Sequence, residues 1–562
     1  MPRLIALLAF SCLTQPLAAQ ADQLQPTPLS GASSSQDEPL SERQRAVHLL
    51  SRLSYAPTEI NVNFVLSIGI DNWLEDQLQQ RQPRRQMLTD RLAKMETLDF
   101  SVAESYAYMR GEETDEKVDA ATKRKEERQR VQLMSGQLMT DILLRGAFSD
   151  RQAEEVLANF WRNHFNVTFR KGIQASLMIP NWEADVIRGH IWSDFGSFLH
   201  ASAKHPAMLT YLDQQQSRRK LSEQELERIR RRTLRKGGSE ARAESEVAKA
   251  ARGGPNENYA RELMELHTLG VDNVYQQEDV VAVAAALTGW TIDRGNRNKP
   301  GSFGFKFDPR RHDQNAKTLF GQSMPEPDPQ TPGQGEWILD ELASHPQTAQ
   351  YLAGKMVRYL VSDNPPQNMV DDVAARFMRS NGDLTELVRA VVEHDGFYQP
   401  AHYQTKVKTP WEFVVSALRV TDARVANPRQ LFLALRAMGQ PIYGCDVPTG
   451  YSDSAEAWLD PGAMAFRWEF ADKFATGKLR GTVIPPEFYN RCLAQARPEE
   501  WAQQLALHMI PAGIGEKTQA ALNQVLGEYL AKGSVKKNGP AVGDIAPQLV
   551  GLLLGSPEFQ RQ

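Results

Sequence analysis

The chain has 562 residues, 24% of them charged, and a formal net charge of −4, a balance that suits a globular protein of more than one structural unit and argues against nucleic-acid binding. No Walker-type phosphate loop and no GxSxG nucleophile elbow occurs in it, so neither chemistry is expected. Its cysteines, Cys12, Cys445 and Cys492, are too scattered for a cysteine-based zinc site.

Met1 to about Ala21 opens with Arg3, runs through the apolar stretch Leu4 to Cys12 and ends in Ala19-Gln20-Ala21. That is the pattern of a secretory signal peptide, and it predicts a periplasmic or secreted protein. The stretch is too short to cross a bilayer, and no later window offers roughly 18 uninterrupted apolar residues, so no transmembrane segment is expected. Cys12 raises lipidation as an alternative, although Ala9-Phe10-Ser11 is a poor lipobox. Without the leader, Cys445 and Cys492 remain, compatible with one disulfide or with two free thiols.

Residues 22–41 are rich in Gln, Pro and Ser and predict a disordered lead-in. From Glu42 onward apolar residues recur at helical spacing, block after block, which predicts a mainly α, multi-helical body in two parts, residues 42–217 and 253–562. Between them, 218–252 is a positively skewed insertion centred on Arg230-Arg231-Arg232 and Arg235-Lys236. It reads as a solvated helical or disordered excursion, or as a contact patch for an anionic polymer. Glu112 to Arg130 is a second charge-rich stretch, of mixed sign. One segment departs from the helical period: Phe303, Phe305 and Phe307 alternate with Gly304 and Lys306, which predicts a small β-hairpin near the middle, with Lys317 to Gly321 as returning strand and a turn holding His312 and Asp313.

The densest polar pattern is Asn256 to Gly270, NENYARELMELHTLG. At 100° per residue it places Asn258, Arg261, Glu262 and Glu265 on one helical face, and Tyr259, Leu263, Met264, Leu266 and His267 on the other. Glu262 and Glu265 are the candidate catalytic carboxylates, joined by His312 and Asp313 as orienting or metal-donating groups. His164 on FWRNHF would be a further donor, since a divalent ion wants at least three protein ligands. Asn258, Arg261, Trp161, His164, Trp290 and Lys317 are the candidate binding residues. Each has a structural reading beside it: Arg261–Glu265 pairing on a solvated face, His164 as a core histidine bonded at one nitrogen, Trp290 as a core plug. His205 and His345 both precede proline and read as turn chemistry.

Ordered motifs along nearly the whole chain carry a resemblance. HLLSRLSYAPT, FWRNHF, KHPAMLTYLD, NENYAREL, LTGW, HDQNAKTLFG, KTPWEFVVSALR and PTGY are similar to the bacterial family known as domain of unknown function 1800. The resemblance implies an exported protein, often encoded beside an uncharacterised family similar to sulfatases, and it implies no activity and no cofactor. Where the family tends to carry a hydroxyl residue, this chain has Gln276, so Glu278 and Asp279 must supply the favourable charge at the next helix start. Two functions compete: a non-catalytic scaffold binding an extracytoplasmic partner, such as the sulfatase-like neighbour or an anionic polysaccharide, and an extracytoplasmic hydrolase or group-transfer enzyme acting on polysaccharide.

Overall fold

The computed structural model describes residues 38–83, 85–111, 119–271, 274–296, 299–533 and 542–562. The predicted leader, Cys12, most of the lead-in and residues 112–118 of the mixed-charge stretch lie outside them. Within the described residues the chain is mainly α, and its strands are two- and three-residue pieces in small hairpins. The helices start where the sequence supplies acceptors. Asp383 accepts from the Glu386 N–H at 2.9 Å, and Ser41 and Ser222 close capping boxes. His205 and His345 each cap a proline-started helix through Nδ1, which accepts the backbone N–H two residues on at 3.1 and 3.0 Å. At Gln276, the Asp279 carboxylate reaches back to accept the Gln276 N–H at 2.8 Å, the reciprocal half of a capping box.

Burial assembles these helices. One apolar cluster runs from Ala46 to Phe559, and each fully buried Leu or Phe in it contributes about 2 kcal/mol. The helix Pro346–Leu360 packs on Gln367–Arg379, and Val542–Gly555 packs on Pro461–Ala475. The final residues are tied to the body: Lys408 Nζ donates to the Phe559 carbonyl at 3.0 Å, and Gln562 Nε2 to Glu412 at 3.1 Å. The insertion is a helical hairpin, Glu223–Arg235 against Glu240–Ala251. No side chain of its first helix is buried, and neither helix joins the apolar cluster, which fits the solvated-excursion reading.

Three features depart from the sequence reading. Phe305–Phe307 is a strand, but its partner is Trp290–Ile292, with Trp290 opposite Phe307, not Lys317 to Gly321. Gly289, at φ +87°, turns the chain directly from the preceding helix into that strand and sets Trp290 edge-on to Phe305, ring centroids 5.1 Å apart. Thr318–Leu319 turns back instead on Gln322–Ser323. Two helices widen into π turns, at Trp182–Arg188 and Glu265–Leu269, where a 3.6-residue period predicts plain α-helix. Cys445 and Cys492 are free thiols. Among the described residues, no helix is long and apolar enough to cross a membrane.

Candidate functional site

The helix Glu257–Met264 divides as its periodicity requires. Asn258 is exposed, Arg261, Glu262 and Glu265 are partly buried, and Tyr259, Leu263 and Met264 are buried. Arg261 pairs with Glu265 at 3.3 Å and donates to Gln277 at 2.7 Å, while the Tyr275 hydroxyl donates to Glu265 at 2.7 Å. Among the described residues no hydrogen bond reaches the Glu262 carboxylate; burial and then the neighbouring Glu265 push its pKa up.

His312, Asp313 and Lys317 form a second knot. His312 Nδ1 donates to the Thr288 carbonyl at 2.9 Å, the Asp313 N–H to the Thr288 hydroxyl at 2.8 Å, and Lys317 pairs with Asp313 at 3.1 Å and with Gln334 at 3.1 Å. Trp290 beside it is fully buried. The two knots stand at opposite ends of one helix, Gln277–Ala286, Gln277 touching the first and Thr288 the second. Its 10 residues rise about 15 Å. The four candidate catalytic residues are thus brought together in two pairs, and the pairs are not brought to each other. Among the described residues, no group of three or more His, Cys, Asp or Glu is placed to hold a metal.

A different constellation gathers at the end of the helix Gln152–His164. His164 Nε2 lies 3.2 Å from the carbonyl of His267, which can only accept, so Nε2 carries the proton. Nδ1 is then the acceptor for Lys355 Nζ, 3.2 Å away. The histidine is bonded at both nitrogens, not one. The π turn matters here, because Thr268 Oγ1 caps the Leu263 carbonyl five residues back at 2.8 Å and His267 is left facing His164. Trp161, buried, packs edge-on to His164 with ring centroids 5.2 Å apart. Asn163 binds Tyr451 twice: its Nδ2 donates to the Tyr451 carbonyl at 2.8 Å, and its Oδ1 accepts the Tyr451 N–H at 2.7 Å. Gly450, at φ +74°, makes that approach possible.

The clamp shapes a recess of about 50 Å³ whose wall includes Asn159, Asn163, Tyr359, Tyr451 and Asp453. Asp453 comes from the clamped loop, and among the described residues no hydrogen bond reaches its carboxylate. Burial raises its pKa, against the pull of Lys355 and Lys406. Burial likewise lowers Lys355, against Asp453. Sequence reasoning named neither residue.

Behind the recess runs an ionic seam. Glu183 accepts two hydrogen bonds from Arg162, both 2.9 Å, and one from the Tyr443 hydroxyl at 2.6 Å, and it pairs ionically with Arg188, whose Nε lies 3.0 Å away. Burial alone would raise the Glu183 carboxyl, but Arg162 and Arg188 overcome it and hold it down at about 2. Arg188 also grips Glu155 through both oxygens, at 3.1 and 2.9 Å. Beyond the seam opens a cleft of about 350 Å³ with an aliphatic wall of Leu88, Leu92 and Leu138 over these paired charges.

The described residues form a mainly α protein with a solvated helical hairpin and a clamped polar recess. Residues 48–561 match the family model described as "Protein of unknown function (DUF1800)", and the chain belongs to that family. Neither a search of curated proteins nor one of solved structures found a match.

Proposed function

We propose that this protein is an exported helical scaffold that binds an extracytoplasmic partner or polymer, and that the recess bounded by Asn163, Tyr451 and Asp453 is its binding face. One observation carries the reading. Glu262 and Glu265 sit apart from His312 and Asp313, Glu265 and Asp313 each closed by neighbours in its own knot, whereas Asp453 faces a cavity with its hydrogen-bonding capacity unfilled. The helical hairpin supports an anionic partner, since Arg228, Arg232, Arg235 and Lys236 stand exposed on it. Export rests on the leader pattern of Met1 to Ala21, and places the partner in the periplasm or outside the cell: an anionic polysaccharide, or the sulfatase-like neighbour protein.

The test is retention of the protein on an immobilised uronic-acid polysaccharide, with Asp453→Asn and Arg232→Glu/Arg235→Glu beside the parent chain. Retention that falls in both variants supports the reading; retention indifferent to both refutes it. Cell fractionation with residues 2–21 deleted should leave the protein in the cytoplasm. A second reading, an extracytoplasmic hydrolase or group-transfer enzyme acting on polysaccharide, draws on Glu262, whose upward shift beside Glu265 suits a general acid. Its test is hydrolysis of a polysaccharide panel by the parent chain and by Glu262→Gln.

A further inference from the structure

We propose that the cleft of about 350 Å³ beyond the ionic seam binds a free aliphatic α-amino acid, Asp141 taking the ammonium, Arg145 the carboxylate, and the leucine wall the side chain. The site is separate from the recess, since no residue lines both.

The polar floor of the cleft is mostly closed upon itself. Arg188 grips Glu155 through both oxygens and pairs with Glu183. Arg151 donates from Nε to the Gln82 carbonyl at 2.9 Å and from Nη1 to Gln80 Oε1 at 3.2 Å. Asp141 and Arg145, four apart on the helix Ala120–Phe148, are joined by a single bond, Arg145 Nε to Asp141 Oδ1 at 2.6 Å. Among the described residues no hydrogen bond reaches Asp141 Oδ2 or leaves Arg145 Nη1 or Nη2, although the Asp141 side chain is only 6% exposed. Both residues line the cleft. A carboxylate so buried, with one oxygen unused, is ready for a donor that the chain does not bring. Burial raises the Asp141 carboxyl against the pull of Arg145 and Arg188, and an ammonium on Oδ2 would oppose that rise.

Charge and shape select the ligand. A lone cation in the cleft would meet Arg145, Arg151 and Arg188, and a lone anion would meet Asp141, Glu154, Glu155 and Glu183. A zwitterion meets each sign with its opposite. The free atoms of Asp141 and Arg145 lie on either side of one hydrogen bond, and the ammonium and carboxylate of an α-amino acid are neighbours in the same way, flanking a single carbon. A peptide separates those two charges, so the pairing favours the free amino acid. Over the floor stand Leu88 and Leu138, buried, and Leu92, which keeps part of its surface open. An aliphatic side chain laid against them removes that surface from water, where a polar one would lose its hydration. About 350 Å³ is room for roughly ten groups of water size at about 30 Å³ each, enough for an amino acid as large as leucine.

The test is titration calorimetry of the parent chain at neutral pH with four probes: leucine, 3-methylbutylamine, which lacks the carboxylate, 4-methylpentanoate, which lacks the ammonium, and glycine, which lacks the side chain. Leucine should bind, and each of the other three should bind about tenfold or more weaker. Asp141→Asn, which keeps an acceptor for Arg145 Nε, and Arg145→Gln should each weaken leucine by about tenfold or more. Leucine without saturable heat up to about 10 mM, or the amine or the acid binding as tightly as leucine, overturns the proposal, and neither result needs a variant to fold. Leucine bound equally by the parent chain and by Asp141→Asn overturns it too, because the amino acid then sits elsewhere. Retention on the polysaccharide probes a different face, so either result stands without the other.

Discussion

Glu183→Gln tests the ionic seam. The Glu183 side chain is 2% exposed and holds Arg162 through both oxygens. Breaking a buried pair by neutralising one partner costs about 3–5 kcal/mol, and an amide that keeps one acceptor oxygen brings this to about 3. The titration supplies a second route to the same figure. A carboxyl held at about 2 instead of 4.5 is worth about 3 kcal/mol at neutral pH. Because the folded-state value is depressed, this stability is fully present above pH 4.5 and is lost as pH falls toward 2. With an unfolding entropy of roughly 1 kcal/mol/K for some 500 ordered residues, the variant should melt about 3 °C below the parent at pH 7. The gap should shrink to about three quarters at pH 4 and to under half at pH 3, since glutamine does not titrate. Scanning calorimetry of both proteins across that range is the assay. Arg162→Met combined with Glu183→Gln should cost less than the sum of the two, as the stranded guanidinium is removed. A gap below about 1 °C at pH 7, or one that does not change with pH, refutes the claim that the Arg162–Glu183 pair anchors the seam.

Gly450→Ala forces a side chain onto φ +74° and brings its Cβ within 2.6 Å of the Asn163 carbonyl oxygen; a loss of about 1–3 kcal/mol is expected, and a melt unchanged from the parent would contradict the clamp. Deleting residues 222–251 should leave a cooperative melt within about 2 °C of the parent, because the hairpin adds nothing to the apolar cluster; a broad, non-cooperative transition would show that it supports the body. Glu262→Gln should leave the melting temperature unchanged or higher, since the carboxylate is raised by burial and by Glu265. Glu265→Gln should lower stability by about 1 kcal/mol, through the bonds it takes from Arg261 and Tyr275. The opposite order in calorimetry would mean that Glu262, not Glu265, holds the network.

What could be read in the sequence is what is settled within a few turns of chain. The helical period, the Asp383 cap, the histidine caps before proline and the two faces of NENYAREL all depend on neighbours three or four residues away. The hairpin pairing depends on more. The alternation at Phe305 and Phe307 marks a strand, but its partner was decided by the turn at Gly289, and nothing in the period shows that Trp290 begins a strand and does not merely plug a helix end. The π turn at Glu265–Leu269 is likewise a tertiary choice: the extra residue per turn is accommodated because Thr268 finds the Leu263 carbonyl and His267 presents its own to His164. The recess is the extreme case. Asn163 and Tyr451 are 288 residues apart, and His164 and Lys355 are 191 apart, so their meeting has no local signature. One signal does survive in the sequence. On the helix Pro346–Leu360, Tyr351, Lys355 and Tyr359 recur at intervals of four, a lysine set in an aromatic stripe on a helix whose neighbouring positions are apolar. A solvated lysine belongs on the opposite face. Its place in that stripe requires a polar partner brought from elsewhere in the chain, and the structure supplies His164, whose Nδ1 accepts from Lys355 Nζ.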